Sequence, residues 1–555
     1  MVLLFLLALL PGVSVGQTEL VPVDHKAYPF FERLSLRGII DYNNASIPIS
    51  RRDVASYLIQ LDSSRARLTA TERKILDDLE VEFSYDIHKA ADKSFSLLSN
   101  LNWPGISNIF NDDKQKYLAS YTDPQFSLFL DGIGSLSYRD FDAESFQKTH
   151  LTLGEIGPRL RGTLFDNVAF DVQVTEGQSL SGDKYSRSVA SGYDPSLKAS
   201  SKFVSQGFVT AFNHGYLRYE SDNHAIALTF GRDNFEMGNG YIDKLFVSDN
   251  IPPFDFARLD LKYKFMRYSF FYGNLQGDSL GVPLNSKNIV GGRLDIELSS
   301  TFRFGIYQSL ILSNAPISFT YLNPISVLES ADLDTHSGVN NNSLIGFDFE
   351  AKPHRDLAVQ LTLLIDDLDF GTLGKKDSTG DDNKFGVQAG CMYVDPFGLN
   401  DVTATLEYTL LDPFVYSHRT NMSTYTNWGI SIGDALPPNS DEIALALDYN
   451  LTSRLSLDLL YQHQRSGGGF LYDSKGRIIR NFGGDINLGS LDNRFVNTFL
   501  MGDRVNRDIL RLSARFEPIR QYFIDVSYSL QSINEIYLSK TFTDQFLSTT
   551  ISTNF

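Results

Sequence analysis

Ile443-Ala444-Leu445-Ala446-Leu447-Asp448-Tyr449-Asn450-Leu451 is the stretch whose reading decides the fold. Side chains alternate across a strand, so Ile443, Leu445, Leu447, Tyr449 and Leu451 share one face. Ala444, Ala446, Asp448 and Asn450 share the other. The alternation returns at Leu455, Leu457, Leu459 and Tyr461, at Leu510, Leu512, Ala514 and Phe516, and at Tyr522, Ile524, Val526, Tyr528 and Leu530. The polar faces carry Asp458, Gln462, Arg511, Arg515, Asp525 and Gln531, too hydrophilic for the core of a soluble sandwich. A closed barrel in lipid inverts the soluble arrangement, with apolar side chains outside and polar ones toward the lumen. These segments predict such an all-β transmembrane barrel.

The whole-chain numbers fit that reading. Hydrophobic residues make up 42% of 555, and 41 Phe and 27 Tyr stand against 2 Trp, an aromatic excess suited to interfacial girdles. After residue 16 no run of about 18 apolar residues occurs, which excludes helical spans. Met1 to Leu10 is apolar and small residues follow, so residues 1–16 are expected to be a secretory signal, although no Lys or Arg precedes the apolar run. Cys391 is the only cysteine, so neither an internal disulfide nor a thiolate metal cluster can form. A net charge of −18 argues against nucleic acid and against simple attraction to anionic headgroups.

Residues 17–124 read as a periplasmic helical region. Ser50 precedes Asp53 as an N-cap, and Val54, Tyr57, Leu58 and Leu61 follow as one apolar stripe. Thr69 and Glu72 have capping-box spacing, ahead of Ile75, Leu76, Leu79 and Phe83. Tyr28 to Leu34 supplies a shorter helix. Residues 125–555 read as strands and loops, and at about 24 residues per strand they predict 18 antiparallel strands, with 16 and 20 the neighbouring even counts. Polar stretches from Gln178 to Gln206, Asp332 to Ser343, Gly371 to Lys384 and Ser466 to Asn493 are expected to be extracellular loops. Phe555, the last residue, is expected to be read by the barrel-assembly machinery, and the outer-membrane lipid is the expected surround.

The sequence contains no HExxH, Walker loop, GxSxG elbow or Cys/His metal spacing, so no cofactor or metal is expected. Asp366 and Asp367 are adjacent, and on a strand would face opposite sides rather than share a site. Three other blocks carry more information. The first runs through Gly231-Arg232-Asp233, Gly238-Asn239-Gly240 and Leu245 to Asn250, then Pro252-Pro253 and Arg258. The second holds Tyr321-Leu322-Asn323-Pro324 and Asn342 to Asp348. The third holds Asp412 to Tyr416, Ser417-His418-Arg419 and Asn421.

These blocks resemble the Wzi-type capsule-assembly family of outer-membrane proteins over about residues 120 to 465. The tryptophans common around the Gly-x-Gly turn of that family are replaced here by Phe235 and Met237. The resemblance implies an 18-stranded barrel with a small periplasmic helical bundle in the Gram-negative outer membrane. It also implies a non-enzymatic, lectin-like role in attaching capsular polysaccharide or exopolysaccharide. Candidate carbohydrate-binding residues are Arg232, Asp233, Asn250, Arg258, Asn323, Tyr416, His418 and Arg419: donors and acceptors at the lumen or mouth, beside an aromatic platform. Gly238 and Gly240 would allow a tight turn or close backbone approach. The blander account of these residues is a hydrogen-bonded lumen that rigidifies the barrel. Rival functions are a porin-like channel for saccharides or ions, an enzyme using His418 as base, and an envelope tether. The last rests on Ala27 to Ala55, which is similar to an S-layer-homology segment. Neither the polysaccharide nor the oligomeric state can be read from the chain.

Overall fold

The computed structural model describes residues 17–100, 107–203, 208–276, 287–313, 319–330, 341–367, 383–418, 422–489 and 498–555. Eighteen antiparallel strands close into one barrel. They are β1 Phe126–Ala143, β2 Thr149–Leu164, β3 Val168–Ser181, β4 Phe208–Glu220, β5 Ile226–Asp233 and β6 Phe254–Tyr263. Next come β7 Met266–Leu275, β8 Lys287–Ser299, β9 Phe302–Ser313, β10 Asn342–His354, β11 Leu357–Asp367 and β12 Lys384–Val394. The ring ends with β13 Val402–Leu411, β14 Ser440–Thr452, β15 Leu455–Ser466, β16 Val505–Ile519, β17 Tyr522–Glu535 and β18 Lys540–Asn554. Each strand pairs with its neighbour in sequence, and β18 closes on β1 from Asp544 opposite Ala143 to Asn554 opposite Ile133. Closure leaves no sheet edge unpaired, which a hydrocarbon surround demands.

The alternation sets the faces as the sequence predicts. Ile443 is 48% exposed and Leu512 47%, both on the outer wall, as are Tyr461, Phe516 and Tyr528. On β16 and β17 the opposite face carries Arg515, whose Nε donates to Asp525 Oδ1 at 2.7 Å. Among the described residues no helix is long and apolar enough to cross a membrane. The barrel is the membrane-spanning element.

One end of the barrel has short turns, such as residues 165–167, 264–265 and 355–356, and the other has long connections. Short turns are periplasmic and long loops extracellular in barrels of this kind. At the short-turn end sit helices α1 Ala27–Leu36, α2 Arg51–Ser63, α3 Ala70–Glu82 and α4 Ser84–His88. Ser50 caps α2 by accepting from the Asp53 N–H, and Thr69 and Glu72 form the capping box of α3. The stripes Val54, Leu58 and Leu61, and Ile75, Leu76, Leu79 and Phe83, are buried together with Phe31 and Leu34 of α1. Each such side chain contributes about 1.5–3 kcal/mol on full burial.

This bundle is bolted into the barrel by side chains. Arg33 Nε donates to Glu72 Oε1 at 3.0 Å, its Nη1 donates to the Val402 carbonyl at 2.8 Å, and it also pairs with Asp395. Arg520 Nη2 reaches Asp78 at 2.8 Å, and Lys26 reaches Glu517 at 3.2 Å. The extracellular stretch 182–203 departs from the loop expected there. It folds into helices α5 Lys184–Ala190 and α6 Ser196–Ser200, with Asp183 and Ser186 forming a capping box. Ala190 and Leu197 pack on Phe141, Leu151 and Phe546. Spaced apolar residues in a Ser-rich stretch were enough to make helices once a barrel wall was there to bury them.

Candidate functional site

The connection 234–253 does not stand up from the barrel mouth. It turns inward, and Glu236–Met237 pairs with Ser46–Ile47 of the periplasmic segment as a two-stranded ladder inside the barrel. The Gly238 N–H donates to the Ala45 carbonyl at 2.9 Å. Phe235, Met237, Leu245, Phe246, Val247 and Ile251 thereby form a buried core with Phe254, Phe271, Ile289 and Tyr307 of the wall. The lumen is thus not polar all round as expected. An apolar zone lines the β6–β13 side where the inturned segment packs, interrupted by Arg293, Asp348 and Glu407, and the β15–β18 side is hydrophilic.

Polar clamps hold this segment. Glu407 of β13 accepts backbone N–H groups from Tyr241 at 2.7 Å, Ile242 at 3.2 Å and Asp243 at 3.3 Å. A Cβ on Gly240 would lie 1.7 Å from the Asp243 carbonyl oxygen and 2.5 Å from Gln388 Oε1, so only glycine permits the close approach read from the sequence. Arg293 of β8, fully buried, donates to Asn239 Oδ1 at 3.1 Å and pairs with Asp295 at 2.7 Å and with Asp348. Asp243 accepts from Asn250, from Ser248 and from the Ala435 N–H. Burial pushes the carboxyls of Asp243 and Asp434 above the usual carboxylate range, Asp434 most, where repulsion from Asp243 adds to it. The connection 412–439 completes the knot: the Tyr416 hydroxyl donates to the Leu245 carbonyl at 2.6 Å and the Tyr425 hydroxyl to the Phe246 carbonyl at 2.9 Å.

The predicted site residues are dispersed by this architecture. Asn250 donates to Asp243 at 2.9 Å and to the Gly433 carbonyl at 3.0 Å. Arg258 donates to Asp260 Oδ1 and Ser46 Oγ, each at 2.9 Å, and lies over the Phe235 ring. Both clamp the interior. Asp233 ends β5 at the start of the inturned segment, where its Oδ1 accepts the Asn234 N–H at 2.9 Å. Tyr416 is 0% exposed and stacks on Tyr425 at 5.4 Å, so its ring offers no open platform. Arg232 does not face the lumen. It lies on the outward face with Phe230, which is 71% exposed, and pairs across the strands with Asp255 at 3.3 Å. Asn323 is exposed on residues 319–330, a segment that drapes over the outer wall, where Tyr321 and Leu328 pack on Phe270, Val290 and Leu310. His418 is half-buried, and Arg419 lies outside the described residues. Asp366 accepts the Tyr416 N–H at 2.6 Å; the side chain of Asp367 is likewise outside the described set.

A family model described as capsule assembly protein Wzi matches residues 159–527. The chain belongs to the Wzi family. Among solved structures it is similar to Wzi of Escherichia coli, described as an outer membrane protein involved in group 1 capsule assembly and a carbohydrate-binding β-barrel. Identity there is 14%, with 96% of this chain and 98% of that chain covered and a TM-score of 0.55. OprD of Pseudomonas aeruginosa is 12% identical over 77% of this chain and 95% of that one, with a TM-score of 0.42. OccAB4 of Acinetobacter baumannii is 9% identical over 78% and 99%, with a TM-score of 0.44. No curated relative matches the chain by sequence.

In this Wzi-family barrel, Phe235 and Met237 are core residues: the Phe235 ring centroid is 5.4 Å from Phe254, 5.0 Å from Phe256 and 4.9 Å from Phe271. The extracellular end presents a feature the sequence reading passed over as polar loop. Strands Phe470–Tyr472 and Ile478–Asn481 form a hairpin. Tyr472 is 54% exposed, Arg477 is exposed and pairs with Asp473 at 2.7 Å, and Arg480 lies 5.0 Å over the Phe482 ring. The hairpin base is tied to the lumenal knot, since the Phe414 N–H donates to the Gly483 carbonyl at 3.0 Å and Asn439 Nδ2 to the Phe482 carbonyl at 3.1 Å. The signal lay in an aromatic and arginine alternation, Phe470, Tyr472, Arg477, Arg480, Phe482, inside a Gly-rich run.

Proposed function

We propose that this protein holds capsular polysaccharide or exopolysaccharide at the outer face of the outer membrane, as a lectin-like and non-catalytic anchor. The observation that carries the reading is the filling of the barrel from both ends. Helices close the periplasmic mouth and the inturned segment 234–253 meets them at Ser46–Ile47, while the extracellular end displays an aromatic and arginine hairpin. Sugar rings stack on exposed aromatic faces, and guanidinium groups bind hydroxyls and uronate carboxylates through paired hydrogen bonds. A polymer offers many weak contacts in series, so modest single-site affinity suffices. Arg232 and Asn323, from the residues singled out in the sequence, are further candidates for contact along the rim.

Retention of purified capsule polymer on immobilised protein tests the reading. Tyr472→Ala with Arg477→Ala is expected to lower retention at least tenfold without changing barrel stability, and equal retention by parent and variant refutes the hairpin assignment. The channel alternative predicts steady conductance in a planar bilayer; the anchor predicts a nearly silent barrel. His418→Ala is expected to leave surface polysaccharide unchanged, whereas a catalytic base at that position would make it fail.

A further inference from the structure

We propose that Asp53, Glu220 and His224 form a divalent-metal site of the zinc type that staples α2 to the β4–β5 turn on the periplasmic side. His224 Nδ1 stands 2.9 Å from Glu220 Oε1 and 3.6 Å from Asp53 Oδ1. All three donor atoms lie within 4.8 Å of one another. Ions of this type hold nitrogen and oxygen donors at about 2.1 Å, which places neighbouring donors about 3.0 Å apart at right angles and about 3.4 Å apart at tetrahedral angles. The two measured edges, 2.9 and 3.6 Å, lie just either side of that range.

The surroundings aim the donors. Arg218 Nη2 donates to Glu220 Oε2 at 2.8 Å, and Ser50 Oγ donates to Asp53 Oδ2 at 3.2 Å. Each carboxylate therefore has one oxygen fixed by a neighbour and the other turned to the cluster, the outer-shell arrangement that orients metal ligands. Glu220 is a buried side chain, 3% exposed, and its Oε1 has no neighbour able to donate to it other than His224. His224 Nδ1, 2.9 Å away, pairs with that oxygen only when the ring carries a proton there, and otherwise both atoms present lone pairs to the same point. His224 is held by its turn, with φ +56° and its N–H donating to the Ser221 carbonyl at 2.9 Å. An imidazole with two carboxylates and no thiolate suits zinc, while the nitrogen donor disfavours calcium and magnesium. Lys262 Nζ lies 3.6 Å from the same Asp53 oxygen and is partly exposed, so it competes with a cation and can withdraw into solvent.

Tag-free, full-length protein stripped with chelator and kept in detergent is titrated with Zn2+ by calorimetry, and its thermal midpoint is followed. The expected result is one equivalent bound and a raised midpoint. His224→Gln should weaken binding at least tenfold while keeping the compact electrophoretic migration of a folded barrel, and Lys262→Gln should tighten binding several-fold. Co2+ in place of Zn2+ should give a ligand-field spectrum that His224→Gln lacks. The proposal is overturned by absence of binding, by equal binding in His224→Gln, or by weaker binding in Lys262→Gln. It is also overturned if the midpoint rises on acidification below about pH 6.5 without metal and Zn2+ adds nothing, the behaviour of a protonated-imidazole clasp.

Discussion

Glu407 and Asp434 show how single buried carboxylates shape the interior. Glu407 binds three successive N–H groups of the 241–243 turn. Hydrogen bonds to a charged acceptor are worth about 1.5–3 kcal/mol each, less the cost of burying that charge. Glu407→Ala should therefore destabilise the inturned segment by about 2–3 kcal/mol, read as protease cleavage within 234–253 at a lower temperature than in the parent. Asp434 is buried beside a second carboxyl. It accepts from the Leu436 N–H and from Gln388, but burial and the nearby Asp243 raise its pKa. A carboxyl with a raised folded pKa favours the folded state fully below its unfolded value near 3.8, and that advantage is lost as pH rises through the folded value. Asp434→Asn should thus raise the thermal midpoint at pH 8, with the gain shrinking toward pH 4. A pH-independent gain would locate the effect elsewhere.

At the scale of elements, the helical bundle is joined to the barrel by a few buried ion pairs rather than by a broad apolar face. Arg33 is the central one, touching Glu72 of α3 together with the Val402 carbonyl and Asp395 beside the β12–β13 turn. Removing one partner of a buried pair leaves an uncompensated charge, at a cost of about 3–5 kcal/mol. Arg33→Met should loosen the bundle while leaving the barrel intact. Spheroplasts given protease should lose fragments within residues 17–90 yet keep the heat-modifiable barrel, whereas a bundle as protected as the parent's would contradict the assignment. The bundle's apolar stripes are satisfied among themselves, so such loosening exposes little grease.

The whole molecule is a barrel whose outside is mainly apolar and whose inside is divided. Leu512, midway along β16, faces outward, while Gln462 on the adjoining strand faces the lumen and donates to Glu442 at 2.9 Å. A cationic side chain at the bilayer midplane costs about 2–4 kcal/mol on the lipid face and little in the lumen. Leu512→Arg should lower the folded fraction recovered in lipid vesicles, and Gln462→Arg should leave it near that of the parent. Equal loss in both would mean that the two faces had been assigned wrongly.

The alternation in Ile443 to Leu451 and its repeats was enough to specify membrane strands and their outward face, because a two-residue period bears directly on which side chain meets lipid, while the count of 18 came from the length of the strand region. Local chemistry was equally readable at Ser50, Thr69 and Glu72, whose caps depend only on residues three positions apart, and at Gly240, whose missing Cβ announced a close approach. What tertiary structure alone decided was the use of the segment after Arg232. Its glycines, apolar residues and asparagines serve an exposed mouth or a buried plug equally well on paper. Only pairing with Ser46–Ile47 and the three-fold grip of Glu407, from residues about 190 and 165 positions away in sequence, turned it inward. That folding buried Tyr416, made clamps of Asn250 and Arg258, and left the aromatic and arginine hairpin at 470–481 to face the outside. Such long-range contacts have no signature in local spacing, since any strand of the ring could have supplied the partner.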